Sequence, residues 1–457
     1  MCSNPERLTP LRDAAPDTTG RPSDPGVIFD GVAREPLQAP RGTRDFYPED
    51  LRLRSWLFDH FRATARAFGF EEVDAPVVEH AELFTRKAGE EIVEQLYHFE
   101  LHGRHLALRP EFTPSVARMV IARHGALRFP LRWFSLPQCW RYERMSRGRR
   151  REHYQWNMDI WGVPGAAAEA ELIAAVFHLI DRVGLGHDDV RVRVSSRALL
   201  EETLRNTVLA GREEAFPALC VVIDKLDKIG PDGIVDLLTD SAGLVKLDRG
   251  AARFVVDWLG TRDLADAGRG VAADSPAFAG LSQLFEWLDA YGVADRVVFD
   301  ASIVRGLAYY TGVVFEAFDA GRELRALCGG GRYDGLLETL GGPATPAVGF
   351  GLGDVVIAEL LADRKAVPEL SRRLDAVVFA FSDAERPAAV RVATRLRAAG
   401  RSVELVLSDV RLKRVLSDAD RAGAKQVYLL GPEEVSRGET QVRDLATGEQ
   451  RAEPIGE

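Results

Sequence analysis

The sequence contains no apolar run that approaches the roughly 20 residues of a membrane-spanning helix. It therefore predicts no transmembrane segment and no membrane partner. The N-terminal segment has no apolar signal core, and its acidic residues Glu6, Asp13, Asp17 and Asp24 argue against a transit peptide. It is rich in Pro, Asp, Thr and Gly without apolar periodicity, which predicts a disordered tail over residues 1–38.

Cysteine is scarce, and the four cysteines are scattered without a CxxC pair. This spacing indicates neither a protein-bound metal site nor a disulfide framework, and it fits a reducing cytoplasm. The patterns GxGxxG and GxxxxGKS/T are missing too, which argues against a Rossmann or P-loop nucleotide site. A formal net charge of −10 does not favour nucleic-acid binding over the whole surface, although RGRRR at 147–151 is a local basic exception.

Apolar periodicity divides the rest of the chain into segments of different type. A four-residue repeat predicts a helix over 51–68, and short alternating runs predict antiparallel strands over 104–162. The block at 196–292 is mostly helical in pattern and resembles an insertion, after which antiparallel strands resume. A charged segment at 364–373 follows, and strands then alternate with helices, which predicts a small α/β domain at 374–457.

Two polar segments carry candidate binding residues. In LRPEFTP, Arg109 and Glu111 are two positions apart, which places them on one face of a predicted strand. The stretch RYERMSRGRRREHYQ, from Arg141 to Gln155, holds six arginines, and guanidinium groups pair bidentately with phosphate oxygens. A polyphosphate site and a solvated, charged hairpin both fit this stretch when it is taken alone.

Two later segments narrow the choice. Arg305 lies between apolar neighbours and two tyrosines in VRGLAYYTGVVFE, where an unpaired buried charge is costly. It therefore needs an anionic partner, either a carboxylate of the protein or a ligand phosphate. In CGGGRYDGLL, three glycines beside Arg332 and Asp334 permit close backbone approach to a ligand, although such a run is more often a tight turn.

Taken in order, these segments resemble the histidyl-tRNA synthetases, a family of class II aminoacyl-tRNA synthetases, from Pro40 to Gln450. PRGTRDFYP opens the domain, and FGFEEVDAPVVE is similar to the dimer-forming motif 1 with its proline at Pro76. LRPE follows, and RYERMSRGRRREHYQ is similar to motif 2. IVRGLAYYTGVVFE and CGGGRYDGLL resemble the two histidine-specific motifs, and the C-terminal segment resembles the family's anticodon-binding domain.

The resemblance implies an α+β fold, in which an antiparallel class II sheet with flanking helices and a helical insertion precedes a C-terminal α/β anticodon-binding domain. The predicted divisions are a catalytic domain in two parts at 39–195 and 293–363, the insertion at 196–292, a linker at 364–373 and the anticodon-binding domain at 374–457. It also implies a symmetric homodimer formed through the catalytic sheet and motif 1.

The implied activity is ATP-dependent activation of histidine to histidyl adenylate, followed by transfer to the 3′ end of tRNA(His). Positions that match the family's motifs imply the residues that bind histidine. They are Glu111, Thr113, Gln155 and Asp159 around the α-amino group, and Tyr309 and Tyr310 around the imidazole ring. Asp159 and Tyr309 also fit a purely structural role, since carboxylates and tyrosines in strands often serve packing.

The resemblance likewise implies the ATP site. Arg141 contacts the α-phosphate and the activated carboxylate, and Arg305 lies at the reacting phosphate. Glu143 lies against the adenine, while Arg149 and Arg151 bind phosphates. Magnesium would bridge the departing phosphates, and the chemistry needs positioning and charge stabilisation rather than a protein base.

Ser146 and Arg147 lie where the family's tRNA-reading residue would be. The partners that follow from this interpretation are tRNA(His), L-histidine, ATP and a second copy of the chain. We expect a cytoplasmic location.

Three positions depart from the family's pattern. Phe112 replaces a small residue near the substrate, and Ala308 replaces a carboxylate. Val356 stands where motif 3 usually has an arginine that binds the ATP γ-phosphate. Either Arg147 or Arg150 of the motif 2 loop replaces that arginine, or the chain has lost activation chemistry. We favour replacement, because Arg141, Glu143 and Arg305 are retained.

Two other kinds of function fit parts of the sequence. A synthetase paralogue that regulates ATP phosphoribosyltransferase would bind histidine without aminoacylation. A tRNA-binding or signalling module would need only the C-terminal domain and the basic loop. Pyrophosphate release in the presence of histidine would exclude both, and the two histidine-specific motifs argue against a ligase for proline, threonine or glycine.

Overall fold

The computed structural model describes most of the chain, and residues 41–457 form one compact unit. The described residues are 37–86, 93–268, 271–272, 274–303, 310–321 and 323–456, apart from the side chains of residues 227 and 228. The predicted disordered tail therefore lies almost wholly outside the described residues.

The helices are distributed along the whole described chain. They are α1 (Pro48–Ala67), α2 (Glu82–Thr85), α3 (Thr113–Arg123), α4 (Ala167–Arg182), α5 (Arg197–Arg205), α6 (Phe216–Ile223), α7 (Leu226–Thr239), α8 (Arg249–Leu259), α9 (Leu264–Gly268), α10 (Pro276–Ala290), α11 (Leu336–Thr339), α12 (Asp354–Asp363), α13 (Arg386–Ala398), α14 (Leu412–Arg421) and α15 (Pro432–Ser436). No helix in the described ranges is both long and apolar enough to cross a membrane.

The strands fall into three sheets. They are β1 (Glu71–Glu72), β2 (Val78–His80), β3 (His98–Leu101), β4 (Arg104–Leu108), β5 (Leu131–Ser135), β6 (Gln138–Trp140), β7 (Glu152–Trp161), β8 (Val190–Ser196), β9 (Val297–Phe299), β10 (Val313–Asp319), β11 (Cys328–Arg332), β12 (Ala347–Gly353), β13 (Ala376–Ala380), β14 (Val403–Leu405), β15 (Gln426–Leu430), β16 (Glu439–Asp444) and β17 (Gln450–Pro454).

The largest sheet has nine strands in the order β1-β5-β7-β12-β11-β10-β8-β9, with β6 paired to the beginning of β7. Its pairs are antiparallel except for β1 with β5 and β8 with β9. This confirms the predicted antiparallel sheet. Sequence periodicity did not identify β8, which directly precedes the helical block, nor α3, which interrupts the predicted run of strands.

One face of this sheet is apolar and packs against helices. Trp156, Met158 and Phe350 of β7 and β12 belong to the same buried cluster as residues of α1 and α4. In α1, the predicted four-residue repeat does bury Leu57, Phe61 and Ala65, and the helix ends before Gly69, whose φ is +76°.

The prediction that Arg109 and Glu111 share a strand is wrong. Strand β4 ends at Leu108, and α3 begins at Thr113. Pro110 lies between these two residues and has no amide hydrogen to donate to a strand neighbour, so the segment turns from the sheet into the helix.

The C-terminal sheet has five strands in the order β14-β13-β15-β16-β17. The first three are parallel and alternate with helices, which confirms the predicted βαβαβ pattern. Helix α13 packs on one face of β13 and β15, and α14 packs on the other face. The last two strands are antiparallel additions that the sequence pattern did not predict.

Candidate functional site

The face of the nine-stranded sheet opposite the apolar core combines polar side chains with glycines. On β7, the alternate residues Gln155, Asn157 and Asp159 point to this face. Their register partners on β12 are Gly353, Gly351 and Gly349. These glycines form a floor without side chains. The floor is open at Gly353, where an added β-carbon would meet nothing within 4 Å, and it is filled at Gly349 by Asp159 and Tyr333.

Gly349 is required by its neighbours. A β-carbon at this position would lie 2.2 Å from Asp159 Oδ1 and 2.6 Å from Tyr333 Oη. The Tyr333 hydroxyl donates a hydrogen bond to this Asp159 oxygen. The Tyr310 ring lies 6.3 Å from the Tyr333 ring, and a β-carbon on Gly331 would lie 3.1 Å from Tyr310. The structure therefore brings predicted residues Asp159 and Tyr310 together around Tyr333.

Burial changes the acidity of this group of side chains. Burial raises the pKa of Asp159 to about 7, although the hydrogen bond from Tyr333 opposes the shift. Burial also raises the pKa of Tyr310, and the nearby carboxyl groups, Glu111 foremost, add to the shift. Both tyrosines in this group remain neutral donors near neutral pH, and Asp159 titrates in the physiological range.

The segment that enters α3 borders the same face. Glu111 and Thr113 are both buried, and Phe112 between them is fully buried in a cluster with Trp161 and Tyr333. This placement accounts for the departure from a small residue at position 112, since its ring fills the core under α3. Arg109 is structural here, because its guanidinium donates to the carbonyl oxygens of Gln138 and Ala75 and to the carboxylate of Asp74.

The motif 2 segment places its cations beside the polar row. Arg141 donates through Nε to the carbonyl oxygen of Pro110 at 2.9 Å, so it lies next to the Glu111 segment. Arg149 forms an ion pair with the buried carboxylate of Glu143, with 2.6 Å between Nε and Oε2. Burial and the nearby charges of Arg141, Arg44 and Arg149 lower the pKa of His153 to about 3, which keeps this imidazole neutral.

Arg151, which was predicted to bind phosphate, has different contacts. Its guanidinium lies 3.8 Å from the centre of the Tyr142 ring, a cation–π contact. It also donates weakly to the carbonyl oxygens of Glu143 and Arg41. Arg151 therefore touches Glu143 only at its backbone, whereas Arg149 pairs with the Glu143 carboxylate.

The tip of the motif 2 loop holds the two residues that were predicted to meet tRNA. Ser146 and Arg149 pair across a tight turn that contains Gly148, whose φ is +73°. Arg147 projects to α12 and forms ion pairs with Glu359 at 3.0 Å and with Asp363 at 2.6 Å. Ser146 is exposed at the same tip.

Motif 3 provides the start of α12. Val356 is buried, and a β-carbon on Gly148 would lie 3.4 Å from its side chain. Two residues earlier, Asp354 accepts from the Tyr154 amide at 2.8 Å and pairs with Arg44, which also pairs with Glu152. Burial raises the pKa of Asp354, and the charge of Arg44 opposes the shift.

The glycine-rich segment of β11 is divided between the two faces of the sheet. Arg332 points away from the polar row and forms a two-point ion pair with Glu169 of α4, with distances of 2.6 and 2.7 Å. Gly331 lies under Tyr310 on the polar face. Of this segment, Gly331 and Tyr333 therefore approach the site, and Arg332 fastens α4 to the sheet.

Three predicted or discussed positions lie outside the described residues. They are Arg305, Ala308 and Tyr309.

Sequence reasoning missed several members of this arrangement. Asn157 could have been found, because it continues the two-residue period between Gln155 and Asp159. Tyr333 and Arg44 gave no such signal, since each acts through a partner more than 100 positions away in the chain. His153 falls on the polar face by the same two-residue period, so the same signal could have found it.

The chain is similar to known proteins over most of its length. The family model for histidyl-tRNA synthetase matches residues 42–354, and the model for an anticodon binding domain matches residues 375–457. The histidine–tRNA ligase of Arabidopsis thaliana, named chloroplastic/mitochondrial, is 48% identical over 91% of this chain and 84% of its own. The histidine–tRNA ligase of Opitutus terrae is 40% identical over 90% of this chain and 94% of its own.

A solved structure shares the fold. The crystal structure of histidyl-tRNA synthetase from Nostoc sp. PCC 7120 superposes with a TM-score of 0.72 at 22% identity, covering 92% of this chain and 97% of that one. The family model alone covers more than half of the chain, and the two ligases are similar over nearly all of it. The chain therefore belongs to the histidyl-tRNA synthetase family and is an aminoacyl-tRNA ligase for histidine.

Proposed function

We propose that the polar face of the nine-stranded sheet is where this ligase forms histidyl adenylate and then transfers histidine to tRNA(His). One observation carries this proposal. The cations of motif 2, Arg141 and Arg149, lie beside the polar row of β7 above a glycine floor. Such a floor admits a substrate, and the cations next to it suit the phosphates of ATP.

Histidine is bound by the polar row and the start of α3. Glu111, Thr113, Gln155 and Asp159 surround the α-amino group, and Tyr309 and Tyr310 line the imidazole pocket. The contacts of Asp159 and Tyr310 with Tyr333 support this assignment, because they hold both side chains in place before substrate arrives. Polar groups fixed in this way discriminate against side chains that would leave them unpaired.

Activation is an in-line displacement that needs no protein base. A carboxylate oxygen of histidine attacks the α-phosphorus of ATP, the bond to the bridging oxygen breaks, and pyrophosphate leaves with that electron pair. Arg141 and Arg305 stabilise the charge on the α-phosphate oxygens. Glu143 contacts the adenine, and Arg149 and Arg151 bind phosphates. In the second step a ribose hydroxyl of the terminal adenosine attacks the histidyl carbonyl, and AMP leaves.

The γ-phosphate is bound without a motif 3 arginine. Val356 is buried beneath the loop tip, so this position presents no cation. Arg147 is engaged by α12. Arg150, which is exposed at the end of the loop, is thus the better placed of the two predicted replacements.

Magnesium arrives with ATP in this proposal. Within the described part of the chain, no group of three or more His, Cys, Asp or Glu side chains could hold a metal ion. We infer that Mg²⁺ would be bound mainly by substrate phosphates and water, as is usual for this ion. When bound, it neutralises charge on the departing pyrophosphate.

Transfer RNA meets the chain at two places. Ser146 and Arg147 at the motif 2 tip face the acceptor end. The C-terminal sheet supplies a second surface, where Arg411, Lys413 and Arg414 line an open groove at the start of α14. Phe381 directly follows β13 and is exposed. It lies at the carboxyl ends of the parallel strands, where the chain also leaves β14 for α14, and its ring can stack on an unpaired base.

A homodimer and a cytoplasmic location complete the proposal. The sheet of β2, β4 and β3 begins at the end of motif 1. It exposes Val78, Phe99 and Leu101, an apolar surface that a second copy would cover. Sedimentation of Phe99→Glu beside the unmodified protein tests this point, and an unchanged mass would contradict it. The cytoplasmic assignment depends on cysteine usage, and imaging of the tagged full chain in its own cells tests it.

Histidine-dependent ATP–pyrophosphate exchange tests the function as a whole. We expect exchange in the unmodified protein, a loss of about a hundredfold or more in Arg141→Ala, and no change in Arg66→Ala, an exposed control on α1. Histidine binding without exchange would contradict the proposal and support the regulatory paralogue.

A further inference from the structure

The tip of the motif 2 loop is docked on one face of α12. Val356, Glu359 and Asp363 follow one another at spacings of three and four residues, which places them on one side of the helix. Gly148 lies over Val356, at ordinary van der Waals distance for an added β-carbon. We call these three residues the loop seat.

Arg147 connects the loop to the seat at two carboxylates. Its Nε donates to Glu359 at 3.0 Å, and its Nη2 donates to both oxygens of Asp363 at 2.6 and 2.7 Å. The partners lie more than 200 positions away in the chain. The contact therefore fixes the loop against motif 3, rather than closing a local turn.

The turn passes this constraint to the phosphate-binding side of the loop. The Arg149 amide donates to the Ser146 carbonyl oxygen at 3.0 Å, and the reverse bond is 3.3 Å. Arg149 then pairs with Glu143 at 2.6 Å. Residues 147–149 thus connect the seat on α12 to the Arg149 guanidinium beside the candidate ATP site.

We propose that the loop seat holds the motif 2 loop where Arg149 and Arg150 meet the ATP phosphates, and that Arg147 is a positioning residue for ATP. This inference rests on the proposed function. It explains why valine is suitable at position 356. A small apolar side chain there lets the glycine backbone rest on the helix, whereas a long cation would displace the loop.

The test measures histidine-dependent ATP–pyrophosphate exchange without tRNA. It compares the unmodified protein with Arg147→Ala and Asp363→Asn. We expect the KM for ATP to rise about two- to fivefold in both variants, as for the loss of an exposed ion pair, with kcat nearly unchanged. Arg364→Ala is the matched control, because Arg364 follows α12 and pairs with Asp189 away from the loop. Its KM for ATP should not change.

A charge reversal and a restored arginine sharpen the test. Each single charge reversal, Arg147→Asp or Asp363→Arg, should raise the KM for ATP. The double variant should reverse most of that increase. Val356→Arg should raise the KM for ATP, since it removes the seat under Gly148. A lower KM in Val356→Arg would overturn the proposal, as would a change in tRNA KM alone in Arg147→Ala.

Hydrogen exchange separates this inference from the function on which it rests. The amides of residues 143–150 should exchange faster in Arg147→Ala than in Arg364→Ala, with or without activity. Equal protection in the two variants would overturn the seat. If the unmodified protein shows no histidine-dependent ATP–pyrophosphate exchange, the proposed function is contradicted instead. Amide protection would then still decide whether the loop is held on the seat.

Discussion

The two large sheets of this chain are covered in different ways. In the five-stranded sheet, α13 and α14 pack on opposite faces of the parallel strands, so alternate residues of β13 enter two separate apolar clusters. In the nine-stranded sheet, α1 and α4 cover one face, and α3 covers only one end of the other. Beyond that end, the second face carries polar residues and glycines.

This difference decides where each sheet can bind a ligand. A sheet that is covered on both faces offers its strand ends and adjoining helices, as is usual for parallel α/β units. A half-covered antiparallel sheet offers a whole face, on which side chains from several strands can converge. The small substrates are therefore expected on the large sheet, and the extended RNA partner at the strand ends and adjoining helix of the small one.

The largest expected effect concerns the covered face of the nine-stranded sheet. Arg332→Met removes one partner of the ion pair that fastens α4 to β11 and leaves the Glu169 carboxylate buried without it. We expect the free energy of unfolding to fall by about 3–5 kcal/mol. Urea denaturation followed by circular dichroism measures this change.

The control for this prediction is an exposed pair on the same domain. Arg62→Met removes a 3.1 Å ion pair with Glu72, in which both side chains are more than one-third exposed. Its cost should stay below about 1 kcal/mol. Equal losses in the two variants would show that the covered face does not depend on the contact between Arg332 and Glu169.

A smaller effect is expected on the open face. Gly349→Ala places a β-carbon 2.2 Å from Asp159 Oδ1, so the pair formed by Asp159 and Tyr333 must move. We expect a loss of about 1–3 kcal/mol in the free energy of unfolding, together with a higher KM for histidine. Gly329→Ala is the matched control in β11, since an added β-carbon there meets nothing within 4 Å. A stability loss as large in the control would remove the special role of Gly349.

Sequence patterns predicted the covered elements better than the open face. The helix over 51–68 was recognisable because a buried stripe repeats every three to four residues. The βαβαβ unit was recognisable because strands buried on both faces appear as short apolar runs between helical patterns. Strand β8 was missed because it merges directly into α5. Strands β16 and β17 were missed because their alternating residues are largely polar.

Most residues of the candidate site were predicted from the family resemblance. The two-residue period of β7 gives a second signal for its polar side chains. Glu111, Asp159 and Tyr310 were named from motif matches, and the structure brings them near Tyr333, which was not named. Partners such as Arg44 and Asp363 could not have been found, because ion pairs across more than 100 positions depend on tertiary packing rather than on any local pattern.

The raised pKa of Asp159 gives the open face a pH dependence of its own. Its pKa is raised to about 7, so between pH 4 and pH 7 the folded chain binds this proton more often than the unfolded chain does. This carboxyl therefore lowers the free energy of unfolding as pH rises through that window. Asp159→Asn should remove this contribution, so that urea denaturation at pH 5, 6 and 7 shows a smaller decline than in the unmodified protein. Parallel declines in both proteins would contradict the shifted pKa.

The smallest expected effect concerns helix α14 on the five-stranded sheet. Lys413→Ala removes one charge from the groove at the start of α14, so tRNA affinity should fall a few-fold and the slope of log affinity against log salt should decrease by about one. Lys425→Ala is the matched control, because Lys425 lies beyond the end of α14, directly before the central strand β15, and pairs with Asp375 at 2.8 Å. Filter binding across salt concentrations measures the slope, and ATP–pyrophosphate exchange should be unchanged in both variants. An equal slope change in the control would mean that tRNA responds to the overall charge of the domain. The proposed division, with small substrates on the open face and tRNA at α14, would then lose its support.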